Sequence, residues 1–308
     1  MNFRQLAYGI ASFLPIPPDW LTPGTGGTNS AEYCYAVWLR HLVLSRNHGM
    51  RGMPATLAEL GPGDSIGVGM AAVISGVSNY YAFDAVPHAD VDGSVRLFDD
   101  LVEMFRRRDP IPGPDAFPGM EPQLPGYEFP SEILADEHLA DALAPGRLEL
   151  LRADLMAGGG NTFFYRAPWD QPAEGEEGKI DFVISNAVME HVTDIDSTYI
   201  SMEKWLKRGA FSSNQIDFRS HGLFQGWDGH WACPEWLWFL MKGRRAYLLN
   251  RLPYSAHARA VKMSGMDIVV ANLSHQPPER QKLAFPFGSL EPSDRSTSGA
   301  YMLLRKNP

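Results

Sequence analysis

Thr56-Leu57-Ala58-Glu59-Leu60-Gly61-Pro62-Gly63-Asp64-Ser65 sets a carboxylate near the end of a short apolar run and follows it with a glycine-rich turn. The run predicts a strand. The glycines predict a turn whose backbone can approach a ligand closely, because no Cβ holds it off. Tyr80-Tyr81-Ala82-Phe83-Asp84 closes a second predicted strand on another carboxylate. Asp84 could bond ribose hydroxyls, as an acid after the second strand does in dinucleotide sites. The turn has no lysine of the kind a phosphate-binding loop uses, so phosphate is the weaker ligand reading. A glycine turn alone could simply join two elements; Glu59, Gly61, Gly63 and Asp84 in order are more specific.

These residues need a sheet edge to hold them, and the rest of the chain predicts one. Strand patterns over 56–60, 79–83, 162–166, 180–185, 210–216, 267–273 and 300–305 alternate with helical patterns at 67–75, 95–105, 188–206, 231–249 and 255–264. Such alternation implies a mostly parallel sheet wrapped on both faces. No helical pattern separates the last two strands, so one of them is expected as an antiparallel edge. Ser30 can cap a helix running towards His48. Residues 90–160 interrupt the alternation with a Pro-rich stretch over 109–130 and helical spacing over 132–155, broken at Pro145-Gly146. The expected organisation is an N-terminal helical lid over 1–55 and a main domain over 56–308 carrying a helical insertion at 90–160. That insertion is expected to help bind substrate.

The ordered motifs carry a resemblance. Glu59-Leu60-Gly61-Pro62-Gly63-Asp64-Ser65 resembles the first motif of the class I S-adenosylmethionine-dependent methyltransferases, and Asp84 matches that family's ribose-binding acid. The run from Ile180 to Val192 is similar to its fourth-strand motif, and Trp205 to Ala210 to the lead into its fifth strand. The likeness spans about Thr56 to Arg305, with 90–160 uncovered. Ser65 departs from it, standing where many members have a third glycine. The resemblance implies a doubly wound, mostly parallel seven-stranded sheet of Rossmann-like methyltransferase type. It also implies S-adenosylmethionine as cofactor. Glu59, Gly61, Pro62, Gly63, Asp64 and Ser65 would then form its methionine-end turn, and Asp84 would hold the ribose. Asp170 would lie near the adenine amine, and Asn186 and Ala187 would face the cofactor.

Methyl transfer chiefly needs alignment, and a hydroxyl acceptor gains from a base. Asp217 and His221 follow the fifth strand, and His221 is the favoured base. His191, on a predicted helix beside Glu190, is a second candidate, with His230 and His257 behind it. Two ligands are too few to predict a metal. Tyr33, Tyr35, Trp38, Trp227, Trp231, Trp236 and Trp238 could line an acceptor pocket, although aromatics at helical spacing are more often core. The expected activity is methyl transfer to a small molecule or glycan. A nicotinamide-dependent oxidoreductase and a non-catalytic, cofactor-binding partner subunit are the alternatives.

The net charge of −9 over 308 residues argues against nonspecific binding to nucleic acid or anionic membrane. Only Cys34 and Cys233 occur, without a CxxC pairing, which fits a reducing, cytoplasmic setting. The N-terminal apolar run, preceded only by Arg4, lacks the marks of a secretory signal and is expected as a buried or lid-forming helix.

Overall fold

The computed structural model describes residues 1–14, 27–86, 94–169, 177–245 and 248–308. Its elements run α1 (Phe3–Ala11), α2 (Ala31–Asn47), β1 (Thr56–Leu60), α3 (Gly67–Ile74), β2 (Asn79–Phe83), α4 (Ser94–Arg107), α5 (Asp136–Ala142), α6 (Pro145–Met156) and β3 (Phe163–Arg166). There follow β4 (Ile180–Asn186), α7 (Ile195–Trp205), β5 (Leu206–Asp217), α8 (Glu235–Lys242), α9 (Tyr254–Ser264), β6 (Met266–His275), α10 (Pro292–Ser296) and β7 (Thr297–Lys306). Among the described residues no helix is long and apolar enough to cross a membrane.

The seven strands form one sheet in the order β3-β2-β1-β4-β5-β7-β6. The first five in that order are parallel, and β7 runs antiparallel to both β5 and β6. The antiparallel strand is therefore not at the edge as the sequence suggested. It is inserted between β5 and β6, which sits at the rim and runs parallel to β5.

Alternate residues of each strand serve opposite faces, as a period of two requires. Leu57, Phe182 and Leu303 pack under α2, α3, α4 and α6. Their neighbours Ala58, Val183 and Leu304 pack against Tyr199 and Met202 of α7 and Ala260 and Val261 of α9. The expected N-terminal unit contributes directly to the first layer, with Cys34, Tyr35, Trp38 and Leu42 of α2 fully buried. Ser30 caps α2 as its position predicts, its side chain accepting from the Tyr33 amide. Residues 94–156 make the β2-to-β3 crossover, and Phe98, Leu101, Phe105 and Leu155 join the same core. α1 is mostly exposed. It docks on α8 at Gly9, where an added Cβ would lie 2.2 Å from the Leu240 and Met241 carbonyl oxygens.

Three helix boundaries differ from the sequence expectation. Helix α7 starts at Ile195 rather than 188, capped by Asp194 accepting from the Ser197 amide at 3.0 Å. The segment 231–249 holds a short 3-10 turn and then only α8, bounded by Pro234 and by Gly243 at φ +57°. The break in 132–155 falls at Leu143–Ala144, and Pro145 opens α6, where its missing N–H costs nothing.

Candidate functional site

β1 and β4 are sheet neighbours, yet the chain winds outward from β1 through β2 to β3 before returning to β4. That reversal opens a crevice at the strands' carboxyl ends. Glu59, the Gly61–Ser65 turn, Asp84 and Asn186 all lie on this edge.

The turn is shaped by its glycines. Gly61 and Gly63 sit at φ +71° and +80°, in the left-handed region that costs an L side chain roughly 1–2 kcal/mol. The Gly61 amide donates to the Phe83 carbonyl at 2.8 Å, fixing the turn beside Asp84. An added Cβ on Gly61 would lie 2.5 Å from Val188 Cγ2. Pro62 is buried, and Gly63 and Asp64 are half-buried.

Ser65 is accounted for by a second segment. Its hydroxyl donates to the Thr28 carbonyl and accepts from the Gly67 amide, while its own amide donates to Thr28 Oγ1 at 3.1 Å. Where a third glycine would leave the turn bare, the serine ties residues 27–33 across it.

Glu59 is 4% exposed and faces the α2–α3 layer. It accepts from the Tyr80 hydroxyl at 2.5 Å, and the Tyr80 ring lies so close to Gly69 that a Cβ there would sit 2.0 Å from it. Burial pushes the Glu59 carboxyl up to about 7. The Tyr80 bond opposes the rise, the Asp84 charge adds to it, and the Gly69 amide tempers it. Asp84 is buried at the end of β2. It accepts from the Ala85 amide at 2.8 Å and from the Tyr165 hydroxyl at 3.3 Å.

β4 supplies the facing wall. Asn186 Nδ2 donates to the Tyr33 hydroxyl at 3.0 Å, which links α2 to the crevice. Ala187 sits at φ +54°, with its amide bonded to the Gln215 carbonyl at 2.9 Å. Asn250 then pins the following turn. Its Nδ2 donates to the Met189 and Val192 carbonyls at 2.8 and 2.9 Å, and its amide to the Glu190 carbonyl at 2.7 Å. His191 therefore lies on a pinned turn and not on the helix its sequence suggested. Asp170 lies outside the described residues.

At the end of β5, Asp217 is gripped by Arg219 Nε at 2.8 and 3.0 Å and by Nη2 at 2.6 Å. His221 Nε2 stands 3.3 Å from the same carboxylate, and its ring meets His191 edge-on at 5.3 Å. Burial opposes the Asp217 charge. The bonds from His221 and Arg219 outweigh it and hold the carboxyl well below its ordinary value. Asp217, Arg219 and His221 line a hollow of about 510 Å3 with Ser220, Phe224 and Trp227. A larger hollow of about 670 Å3, around Leu206, Lys207 and Lys306, lies where β4 and β5 begin, at the opposite end of those strands.

The structure thus brings together Glu59, the 61–65 turn, Asp84, Asn186 and Ala187, and separately His191, Asp217 and His221. It removes two histidines. His230 and His257 are buried, and desolvation lowers both to about 3, so neither takes a proton near neutrality. Of the aromatic residues, Tyr35, Trp38 and Trp231 are core, Trp236 is exposed, and Trp227 reaches the hollow. Sequence reasoning passed over Glu190. Its signal was an acid directly after the apolar run Ala187-Val188-Met189, and the residue is 2% exposed.

The doubly wound, mostly parallel seven-stranded sheet is the one the sequence resemblance implies; the strand order and the internal place of β7 lie beyond it. The fold is a doubly wound, Rossmann-like α/β fold. No protein-family model and no curated protein matches the chain. Solved structures similar to it include an S-adenosylmethionine-dependent methyltransferase from Mesorhizobium loti, at 13% identity and a TM-score of 0.44, covering 91% of this chain and 100% of that one. Another is an S-adenosylmethionine-dependent methyltransferase from Methanosarcina mazei, at 8% identity and 0.44, covering 86% and 97%. A third is phosphoethanolamine N-methyltransferase 2 from Haemonchus contortus bound to S-adenosylmethionine, at 11% and 0.43, covering 98% and 57%.

Proposed function

We propose that the protein is an S-adenosylmethionine-dependent methyltransferase acting on a small molecule or a glycan. The observation that carries this reading is the charge of the crevice. From Thr56 to Asp84 the chain has three acids, Glu59, Asp64 and Asp84, and no lysine or arginine. A carboxylate that burial holds near neutrality gains by meeting an ammonium, and an acid at the end of β2 suits a vicinal diol. Asp84 would serve the ribose of either cofactor; a turn that carries Asp64 and no lysine or arginine disfavours the diphosphate of a nicotinamide dinucleotide.

In this reading Asp84 holds the ribose hydroxyls. Glu59 and the backbone of Gly61 and Gly63 receive the amino-acid end, and Pro62, Asp64 and Ser65 keep the turn in shape. Asn186 and Ala187 close the crevice from β4. When bound, the cofactor supplies a methyl group on a cationic sulfur whose departure needs no proton. The chain's own task is to align the acceptor and to take its proton.

His221 suits that task. With Nε2–H held by Asp217, its Nδ1 is the acceptor nitrogen, the arrangement by which a carboxylate fixes a histidine's tautomer. A histidine–carboxylate pair lining a hollow also favours an enzyme over a silent partner subunit. The test is methyl transfer from isotopically labelled cofactor to a panel of small-molecule and glycan acceptors. His221→Ala should lower turnover about 10²–10⁴-fold while cofactor affinity stays within about twofold. Unchanged turnover would remove His221 from the mechanism.

A further inference from the structure

The turn after β4 is held by a residue that no step of the proposed transfer uses. Asn250 Nδ2 donates to the Met189 and Val192 carbonyls at 2.8 and 2.9 Å, and the Asn250 amide donates to the Glu190 carbonyl at 2.7 Å. The Val188 carbonyl is taken within the turn, by the His191 amide at 2.8 Å. Asn250 is itself fixed, its Oδ1 accepting from the Leu252 amide at 2.8 Å. The next residue, Arg251, is buried. Its carbonyl accepts from Trp231 Nε1 at 2.9 Å, and its Nη1 donates to the Cys233 carbonyl at 3.0 Å. Backbone strain collects here. Among the described residues four non-glycines have a left-handed backbone, and three of them, Ala187, His221 and Arg251, belong to the site or adjoin Asn250. Such conformations persist only where the surroundings over-determine them.

What this clasp holds is Val188. Its side chain covers Gly61 so closely that an added Cβ there would lie 2.5 Å from Cγ2. We propose that Asn250 is a positioning residue for the amino-acid end of the cofactor. It fixes the turn over 189–192, which seats Val188 on Gly61 and so sets where the backbone of the glycine turn meets the ligand. Asn186 and Ala187 are held separately, by Tyr33 and by the Gln215 carbonyl, so the effect of Asn250 falls on Gly61. This assignment rests on the methyltransferase reading and extends it to a residue that acts only through the turn.

Calorimetry on the full chain, well below its melting temperature, tests this with two ligands. One is S-adenosylhomocysteine; the other is methylthioadenosine, which keeps the nucleoside and the sulfur but lacks the amino-acid group. Asn250→Ala should weaken S-adenosylhomocysteine about tenfold and methylthioadenosine by less than about twofold. Val188→Ala should weaken S-adenosylhomocysteine about three- to tenfold, and the double variant should match Asn250→Ala within about twofold, because the two residues act in series. A residue that only braced the fold would lower the melting temperature and either leave both affinities unchanged or weaken both ligands alike. Either result would overturn the proposal, as would single effects that multiply in the double variant. Val188→Ala breaks no hydrogen bond and decides alone if Asn250→Ala does not fold: unchanged S-adenosylhomocysteine affinity would then overturn the proposal. Failure of the wild-type chain to bind S-adenosylhomocysteine would instead overturn the methyltransferase reading.

Discussion

Replacing Glu59 with glutamine should flatten the protein's stability between pH 4.5 and 7. In the unfolded chain this carboxyl titrates near 4.5, and in the folded chain burial raises it to about 7. Between those values the folded state keeps a proton that the unfolded state has released, so stability falls as pH rises. The contribution is full below about 4.5 and gone above about 7. At about 1.4 kcal/mol for each pH unit between the two values, the wild type should lose about 3 kcal/mol that Glu59→Gln does not. Glutamine keeps an oxygen for the Tyr80 hydroxyl, so the substitution removes the titration with little change in packing. Urea unfolding of both proteins near pH 4.5 and near pH 8 measures the difference, and comparing the two cancels every other titrating group. Parallel pH profiles would show that the folded protein does not hold Glu59 protonated, and would refute the picture of a strongly desolvated acid beneath the turn.

Ser65→Ala removes one hydroxyl that bonds both the Thr28 carbonyl and the Gly67 amide. It should cost about 1–3 kcal/mol by denaturant unfolding and speed amide exchange at residues 27–33. Asp84→Asn should weaken S-adenosylhomocysteine binding about 10–100-fold by calorimetry, the range for a hydrogen bond to a charged group, with the melting temperature little changed.

The sheet's first half was legible because its signals are local. β1, α3 and β2 each combine a short uninterrupted pattern with a glycine or a cap, and Glu59, Gly61 and Asp84 follow directly from where those strands end. The turn after β4 was not legible. Helical residues from Val188 onward suggested continuity, but the left-handed Ala187 and the Asn250 side chain, about sixty positions away in sequence, hold 187–192 as a turn. Only Asp194, three residues before Ser197, marked the true helix start. The insertion of β7 between β5 and β6 is a long-range pairing that no local pattern encodes.

The central claim is that the acidic, glycine-lined crevice at the ends of β1, β2 and β4 binds S-adenosylmethionine rather than a dinucleotide. The most direct test is calorimetric titration of the wild-type chain with S-adenosylhomocysteine and, separately, with NAD. The account predicts saturable one-to-one binding of S-adenosylhomocysteine and no heat of binding with NAD. Saturable binding of NAD with none of S-adenosylhomocysteine would contradict it.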